Sequence, residues 1–253
     1  MEGPVTGLQS IFALVVVLIL GLALLVGLQG PAFQIGLGVL LMLTALGSEQ
    51  MLRRARAGLP LRQRAVAAYW VLPTLLMLGA ALFLRLPFFN GGPLLGLGLL
   101  LTALLLLAVL RAEYHQRWPG PFSAEFVSYI VAFALFSALY APRLRSLFSA
   151  TAIAIVTALL TVELLRRSVR SSPQAWLYAA VIGLSVGELT WVLNYWMVGA
   201  LAGGLALLLA FYTLVSLAQH ALTGQLTRQV GIELGLLALA GAVVVLGGNL
   251  WLP

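Results

Sequence analysis

The chain alternates between long apolar stretches without charge and short loops that hold most of its charged residues. Stretches such as 94–110 contain no charged residue, and they do not alternate polar with apolar positions as barrel strands do. Each stretch is close to the ~20 residues with which a helix crosses ~30 Å of hydrocarbon. Helices also satisfy their own backbone groups in lipid. The pattern therefore predicts an all-α fold, a polytopic transmembrane helix bundle.

Clusters of glycine, proline and arginine divide the apolar pattern into segments. The nine predicted helices cover 9–28, 32–49, 65–85, 93–112, 123–141, 146–165, 173–195, 199–220 and 230–252. No charge separates the seventh helix from the eighth, so eight full spans is the alternative if that turn is re-entrant. The first ten residues contain no Arg or Lys. We therefore interpret the first segment as a retained helix and not as a signal peptide.

The arginines are distributed unevenly between alternate loops. With a cytoplasmic N-terminus, the outer loops carry Arg85, Arg143 and Arg145, and the inner loops carry Arg53, Arg54, Arg56, Arg62, Arg64, Arg111, Arg117, Arg166, Arg167, Arg170 and Arg228. Cytoplasmic loops of membrane proteins carry an excess of Arg and Lys. The sequence therefore predicts a cytoplasmic N-terminus and a C-terminus on the outer side.

Two parts of the pattern resemble each other at a nearly constant offset. Leu52-Arg53-Arg54 ends the second helix as Leu165-Arg166-Arg167 ends the sixth, and Glu125 corresponds to Glu233. This predicts a single membrane domain, 1–253, built from an extra N-terminal helix (1–30) and two four-helix repeats (32–142 and 146–253). Four is an even number, so the two copies have the same orientation, a parallel duplication. The alternative is a chance alignment of spans rich in Leu, Ala and Gly.

The composition agrees with a membrane protein and excludes some kinds of chemistry. Hydrophobic residues make up 62% of the chain and charged residues 8%, against about 25% charged residues in ordinary soluble domains. All basic residues are Arg, all acids are Glu, and Cys is absent. A chain without cysteine has no disulfides and no thiolate chemistry. The lysine-free composition is typical of a GC-rich genome, and we place the protein in the plasma (inner) membrane of a prokaryote.

Three glutamates precede an arginine by four residues, the order that favours an ion pair on one helix. These pairs, at the cytoplasmic rim, are Glu49 with Arg53, Glu113 with Arg117, and Glu163 with Arg167. Arginine at a helix C-terminus also interacts favourably with the helix dipole, so a structural role is favoured. The alternative is a carboxylate cluster, joined by Glu125 and Glu233, that binds a metal or activates water. Because the acids are already paired, we predict no catalytic residue, metal or cofactor.

The seventh helix contains an acid with no arginine nearby in the sequence. Glu188 lies about 15 residues from the predicted cytoplasmic start of that helix, in the outer part of the membrane. Acids at such depths usually face protein or water, and they are functional candidates. Glu188, Trp191 and Tyr195 share one face, and Asn194 lies beside them. We predict a polar intramembrane site formed by these four residues; the alternative is a hydrogen-bonded structural glutamate beside an outer aromatic belt.

The short loops and the scarcity of polar groups inside the spans favour a protein without enzymatic activity. We predict a multi-pass scaffold or accessory subunit of a membrane complex. A small transporter or flippase for a hydrophobic or lipid-like molecule is the first alternative, because transporters are often duplicated. A membrane-embedded lipid-modifying enzyme is the second. The net charge of +7 predicts contact with membrane lipids, including anionic headgroups at the cytoplasmic face, and not with nucleic acid. The other predicted partner is another protein or a second copy of this chain.

Overall fold

The computed structural model describes residues 4–55, 70–89, 92–115, 124–142, 146–168, 173–196, 198–225 and 227–251. Within these ranges the chain is helical and contains no strand, so the predicted all-α fold class is confirmed. The predicted start of the third helix, residues 65–69, lies outside the described residues.

Nine α-helices occur in the described ranges, in the order and near the positions predicted. They are α1 (Pro4–Val26), α2 (Gly30–Ala55), α3 (Val71–Phe83), α4 (Pro93–His115), α5 (Ala124–Tyr140), α6 (Ser146–Ser168), α7 (Pro173–Tyr195), α8 (Ala200–Leu222) and α9 (Arg228–Trp251). A short 3₁₀ turn covers Pro87–Phe89.

Six of these helices, α1, α2, α4, α6, α7 and α8, are long and apolar enough to cross a membrane. Of the other three, α3 has 13 residues and α5 has 17, and the described apolar part of α9 covers Gly231–Gly241. The number of spans, the orientation and the duplication therefore stay predictions.

The chain divides into two compact units, Met1–Val127 and Ser128–Pro253. In the first unit, α1 packs against α2, α3 and α4, and α2, α3 and α4 also contact one another. The buried side of α1 consists of Ile11, Val15, Leu18, Leu22 and Leu25. Their alternating spacing of three and four residues is the seam that helices use when they cross at a small angle.

Two arginines lie against aromatic rings at the helix ends of the first unit. The Arg85 guanidinium, just after α3, lies 3.8 Å from the centre of the Phe33 ring near the start of α2. The Arg111 guanidinium, in the last turns of α4, lies 4.8 Å from the Phe12 ring near the start of α1. Such contacts are attractive because the cation meets the negative face of the ring. In each pair, the end of one helix thus meets the beginning of another, as antiparallel neighbours do.

In the second unit, α6 and α7 approach each other through small residues. A Cβ atom added to Gly183 would lie 2.7 Å from the carbonyl oxygen of Ala154 and 3.0 Å from the Cβ of Ala158. A Cβ added to Gly187 would lie 2.9 Å from the Cβ of Ala154 and 3.1 Å from the Ala150 oxygen. Glycines four residues apart allow this backbone contact, which is a common way for membrane helices to associate.

A second close contact joins α5 to α8. Gly203 lies against the ring of Tyr140, and Gly204 lies against Ser137, so neither glycine has room for a side chain. Phe136 packs edge-on against Phe211 with 5.8 Å between ring centres, a favoured arrangement of aromatic rings. Because α8 also contacts α6 and α7, it links the small-residue pair to α5.

The end of α8 is fixed by a backbone turn at a glycine. Gly224 has φ +70, a conformation that glycine adopts without steric cost. The Gln225 N–H donates to the His220 carbonyl over 2.9 Å, and the Gly224 N–H donates to the Ala221 carbonyl over 3.2 Å. This is the Schellman arrangement, which satisfies carbonyl groups that a helix end otherwise leaves without partners.

Candidate functional site

An exposed stripe runs along α7, formed by Leu184, Glu188, Trp191 and Tyr195, and we call it the Glu188 stripe. Glu188 is exposed, and Leu184 is 62%, Trp191 48% and Tyr195 86% exposed. The spacing of four, three and four residues places the four side chains on one face of the helix. Three of the four residues predicted as a polar site therefore lie together, on the outside of the second unit.

Asn194, the fourth predicted residue, belongs to a different face of α7. Its Nδ2 atom lies 3.5 Å from the Oγ atom of the buried Ser149 on α6. That distance exceeds the usual range for an N–H···O bond, so the contact is weak. One turn earlier, the buried Thr190 hydroxyl donates to the Val186 carbonyl over 2.9 Å. The structure therefore places Asn194 against α6 and away from the Glu188 carboxylate.

A buried face of α7 adjoins the Glu188 stripe, and α5 and α6 pack against it. Gly183, Gly187, Thr190 and Leu193 are buried along it. At its end, the Tyr140 hydroxyl donates a 2.7 Å hydrogen bond to the Leu193 carbonyl. The same carbonyl also accepts the Trp196 N–H over 3.1 Å, and the Tyr140 bond ties α5 to the end of α7. The Glu188 stripe has no such cover: within the described chain, no side chain hydrogen-bonds to Glu188 or pairs with it.

Of the three predicted rim pairs, the structure describes one in full. Arg53 donates to Oε1 of Glu49 from Nε over 2.9 Å and from a terminal nitrogen over 2.6 Å. The Arg53 side chain is 77% exposed, so this pair stabilises the helix only slightly. Arg117 lies outside the described residues, and the side chain of Arg167 is not among those described. The other two pairs stay predictions.

The two remaining rim acids are more deeply buried than a solvated helix end implies. Glu113 is 6% exposed and Glu163 is 1% exposed, and each interacts with other groups. Glu125 and Glu233, the other members of the alternative carboxylate cluster, are exposed. Spacing along the chain located these acids at helix ends, but it could not show which way each helix end turns.

The two histidines contact their own helices. His220 Nδ1 lies 2.7 Å from the Ser216 carbonyl, one turn earlier in α8, so the ring donates from this nitrogen. His115 packs edge-on against Tyr114 with 5.2 Å between ring centres. Among the residues that the structure describes, no group of three histidine or glutamate side chains is arranged to hold a metal ion.

The small-residue contact between α6 and α7 was not predicted from the sequence, although its signal is present there. Gly183 and Gly187 are four residues apart, as are Ala150, Ala154 and Ala158. Reading both small-residue repeats together would have predicted the pair.

Within the part of the chain that the structure describes, these observations define a helical protein with six helices of membrane-spanning length and an acidic, aromatic stripe on the outside of one of them. Residues 11–247 match the model of the family described as "Protein of unknown function (DUF5656)", and the chain belongs to this family. Comparison with curated proteins finds no match. Comparison with solved structures finds none either.

Proposed function

We propose that the protein is a non-enzymatic, multi-pass integral membrane protein that serves as a scaffold or accessory subunit by binding another membrane protein. The observation that carries this proposal is the outward direction of the Glu188 stripe. A substrate site in a transporter lies near the midplane, between bundles of helices. Glu188 instead lies on the outside of α7, beside Trp191 and Tyr195.

The free energy of an outward-facing acid in a membrane depends on the groups that surround it. On insertion scales, a charged side chain at the bilayer centre costs ~3 kcal/mol, and less nearer an interface. A neighbouring protein that contacts the carboxylate removes part of this cost. Exposed Trp191 and Tyr195 provide the large, rigid contact area that is enriched at the centres of protein interfaces. A scaffold role thus accounts for both the acid and its aromatic neighbours.

The proposal places the protein in a prokaryotic plasma membrane with its N-terminus in the cytoplasm. The eleven arginines of the predicted inner loops support contact with anionic lipid headgroups on that side. Such lipids attract basic residues near the surface by about 1 kcal/mol each. The arginine distribution among the loops supports the same orientation.

The test is the mass of the particle extracted from its native membrane by a polymer that preserves the surrounding lipid. We expect a protein mass clearly above the 26.9 kDa of one chain. We also expect Glu188→Leu and Trp191→Ala to release the partner. Glu233→Leu is the matched control, because it removes an exposed acid from α9 of the same unit. A single chain in the wild-type particle would contradict the proposal.

A further inference from the structure

We infer that the Glu188 stripe binds a transmembrane helix of a different protein, and that this helix carries an arginine or lysine at the depth of Glu188. The inference rests on the proposed function and specifies the chemistry of the partner. Three features support it: the depth of Glu188, the shape of the stripe, and the positions of the arginines whose side chains the structure describes.

The depth follows from aromatic residues near both ends of α7. Trp176, near the start of the helix, is 67% exposed, and Tyr195, at its end, is 86% exposed. At about 1.5 Å per residue, they are about 28 Å apart along the helix. This separation matches the ~30 Å of the hydrocarbon layer, whose two interfaces are the preferred location of Trp and Tyr. Glu188 then lies about 10 Å inside the layer from the Tyr195 end.

The Glu188 stripe has the geometry of a seam between two helices. Toward the start of α7 it continues through Val181 and Leu177, which are 54% and 65% exposed. Apolar residues that alternate at three and four positions form the seam along which a second helix packs. Glu188 is the charged position in this otherwise apolar and aromatic seam. A single polar residue in such a seam sets the register and selects the partner.

The positions of the described charged side chains favour a different protein over a second copy of this chain as the occupant. Two copies related by an axis along the membrane normal would bring the two Glu188 side chains to the same depth, where each acid meets another acid and not a base. The arginines with described side chains, Arg53, Arg85, Arg111 and Arg228, lie at or beside helix ends. None of these four lies as far inside a helix as Glu188, which is seven residues from the end of α7. Ionisable residues within membranes pair with one another, so a foreign helix with a basic residue is the complementary occupant.

Lipid alone is a poorer occupant of the same position. Long Lys and Arg side chains extend along the helix and place their charge at the interface. The glutamate side chain is too short to cover the about 10 Å between Glu188 and the Tyr195 level. A basic residue on a neighbouring helix can form an ion pair with the Glu188 carboxylate at its own depth.

The test measures binding of a synthetic probe helix to the full chain in phosphatidylcholine vesicles. The probe is a transmembrane peptide of leucine and alanine with one arginine about 10 Å from its outer end and a fluorescent label. Because the chain has no cysteine, Gly199→Cys adds a unique dye site near the end of α7. A Cβ at Gly199 meets no atom within 4 Å. Energy transfer between the two dyes then reports association.

We expect the arginine probe to bind about tenfold more tightly than the same peptide with leucine in place of arginine. Glu188→Leu should remove this preference, and Glu233→Leu should preserve it. In the exchanged pair, Glu188→Arg should bind a probe that carries glutamate at the matched position. Recovery of binding by charge exchange would exclude a merely structural effect of the substitution.

Two results would overturn the inference. The first is equal binding of the arginine and leucine probes. The second is energy transfer between two labelled copies of the chain. If Glu188→Leu abolishes this transfer and the arginine probe does not reduce it, the occupant is a second copy. If either result accompanies a native particle heavier than one chain, the partner chemistry fails and the scaffold proposal stands. A native particle containing a single chain contradicts the scaffold proposal itself.

Discussion

The two neighbouring faces of α7 differ in burial and in the size and polarity of their side chains. The buried face contains Gly183 and Gly187, which bring the α6 backbone close enough to exclude a side chain. The exposed face, about 100° away around the helix, contains Glu188, Trp191 and Tyr195. Small residues allow the close contact that holds the unit together, whereas large exposed side chains with polar atoms offer contact area to a neighbour. If the proposed function holds, α7 has one packing face and one binding face.

The largest expected effect on stability comes from filling the buried face. Gly183→Ala places a Cβ atom 2.7 Å from the Ala154 backbone oxygen, so the two helices must move apart. We expect the free energy of unfolding to fall by ~2 kcal/mol, the usual cost of overpacking a close contact. The measurement is denaturation of the purified chain by sodium dodecyl sulfate, followed by the loss of helix signal.

The matched control for this substitution is Gly235→Ala in α9. A Cβ at Gly235 meets no atom within 4 Å, and alanine is the better helix former by about 1 kcal/mol. We expect this variant to be as stable as the wild type or slightly more stable. Equal losses in both variants would show that the α6–α7 contact has no special importance.

A smaller effect is expected at the end of the same buried face. Tyr140→Phe removes the hydroxyl that donates to the Leu193 carbonyl over 2.7 Å. Buried hydrogen bonds contribute about 1 kcal/mol, and the carbonyl keeps the Trp196 N–H as its other donor. We expect a loss of about 1 kcal/mol in the unfolding free energy by the same denaturation measurement. An unchanged value would indicate that α5 does not stabilise the end of α7 through this bond.

Asn194 lies at the boundary between the two faces, so its substitution shows how far the packed region extends. Asn194→Ala removes the long 3.5 Å contact with Ser149, which is too long to contribute strongly. We expect the unfolding free energy to change by no more than about 0.5 kcal/mol. A loss as large as that of Tyr140→Phe would instead make Asn194 part of the packed face.

The sequence predicted the helices well because apolar length and loop residues determine them directly. For α7 the predicted range 173–195 coincides with the observed Pro173–Tyr195, since Pro173 can begin a helix but not continue one. The shared face of Glu188, Trp191 and Tyr195 also follows from helical spacing alone.

Rotation of a helix about its axis and the choice of its neighbours were not predictable in the same way. The weakly amphipathic pattern of α7 contains apolar residues on all sides, so it does not show that Asn194 turns toward α6 while Glu188 turns outward. The burial of Glu113 and Glu163 was missed for the same reason. These features depend on contacts between segments far apart in the chain.

The sharpest test of the difference between the two faces is a substitution that changes association without changing stability. Glu188→Leu replaces an exposed acid that forms no hydrogen bond or ion pair with another described side chain, so no internal polar interaction is lost. We expect the unfolding free energy of the isolated chain to remain within about 0.5 kcal/mol of the wild type, while the native particle loses its partner. Denaturation and particle mass are measured on the same preparation. A stability loss comparable to that of Gly183→Ala would mean that Glu188 supports the fold, and the division of α7 into a packing face and a binding face would be wrong.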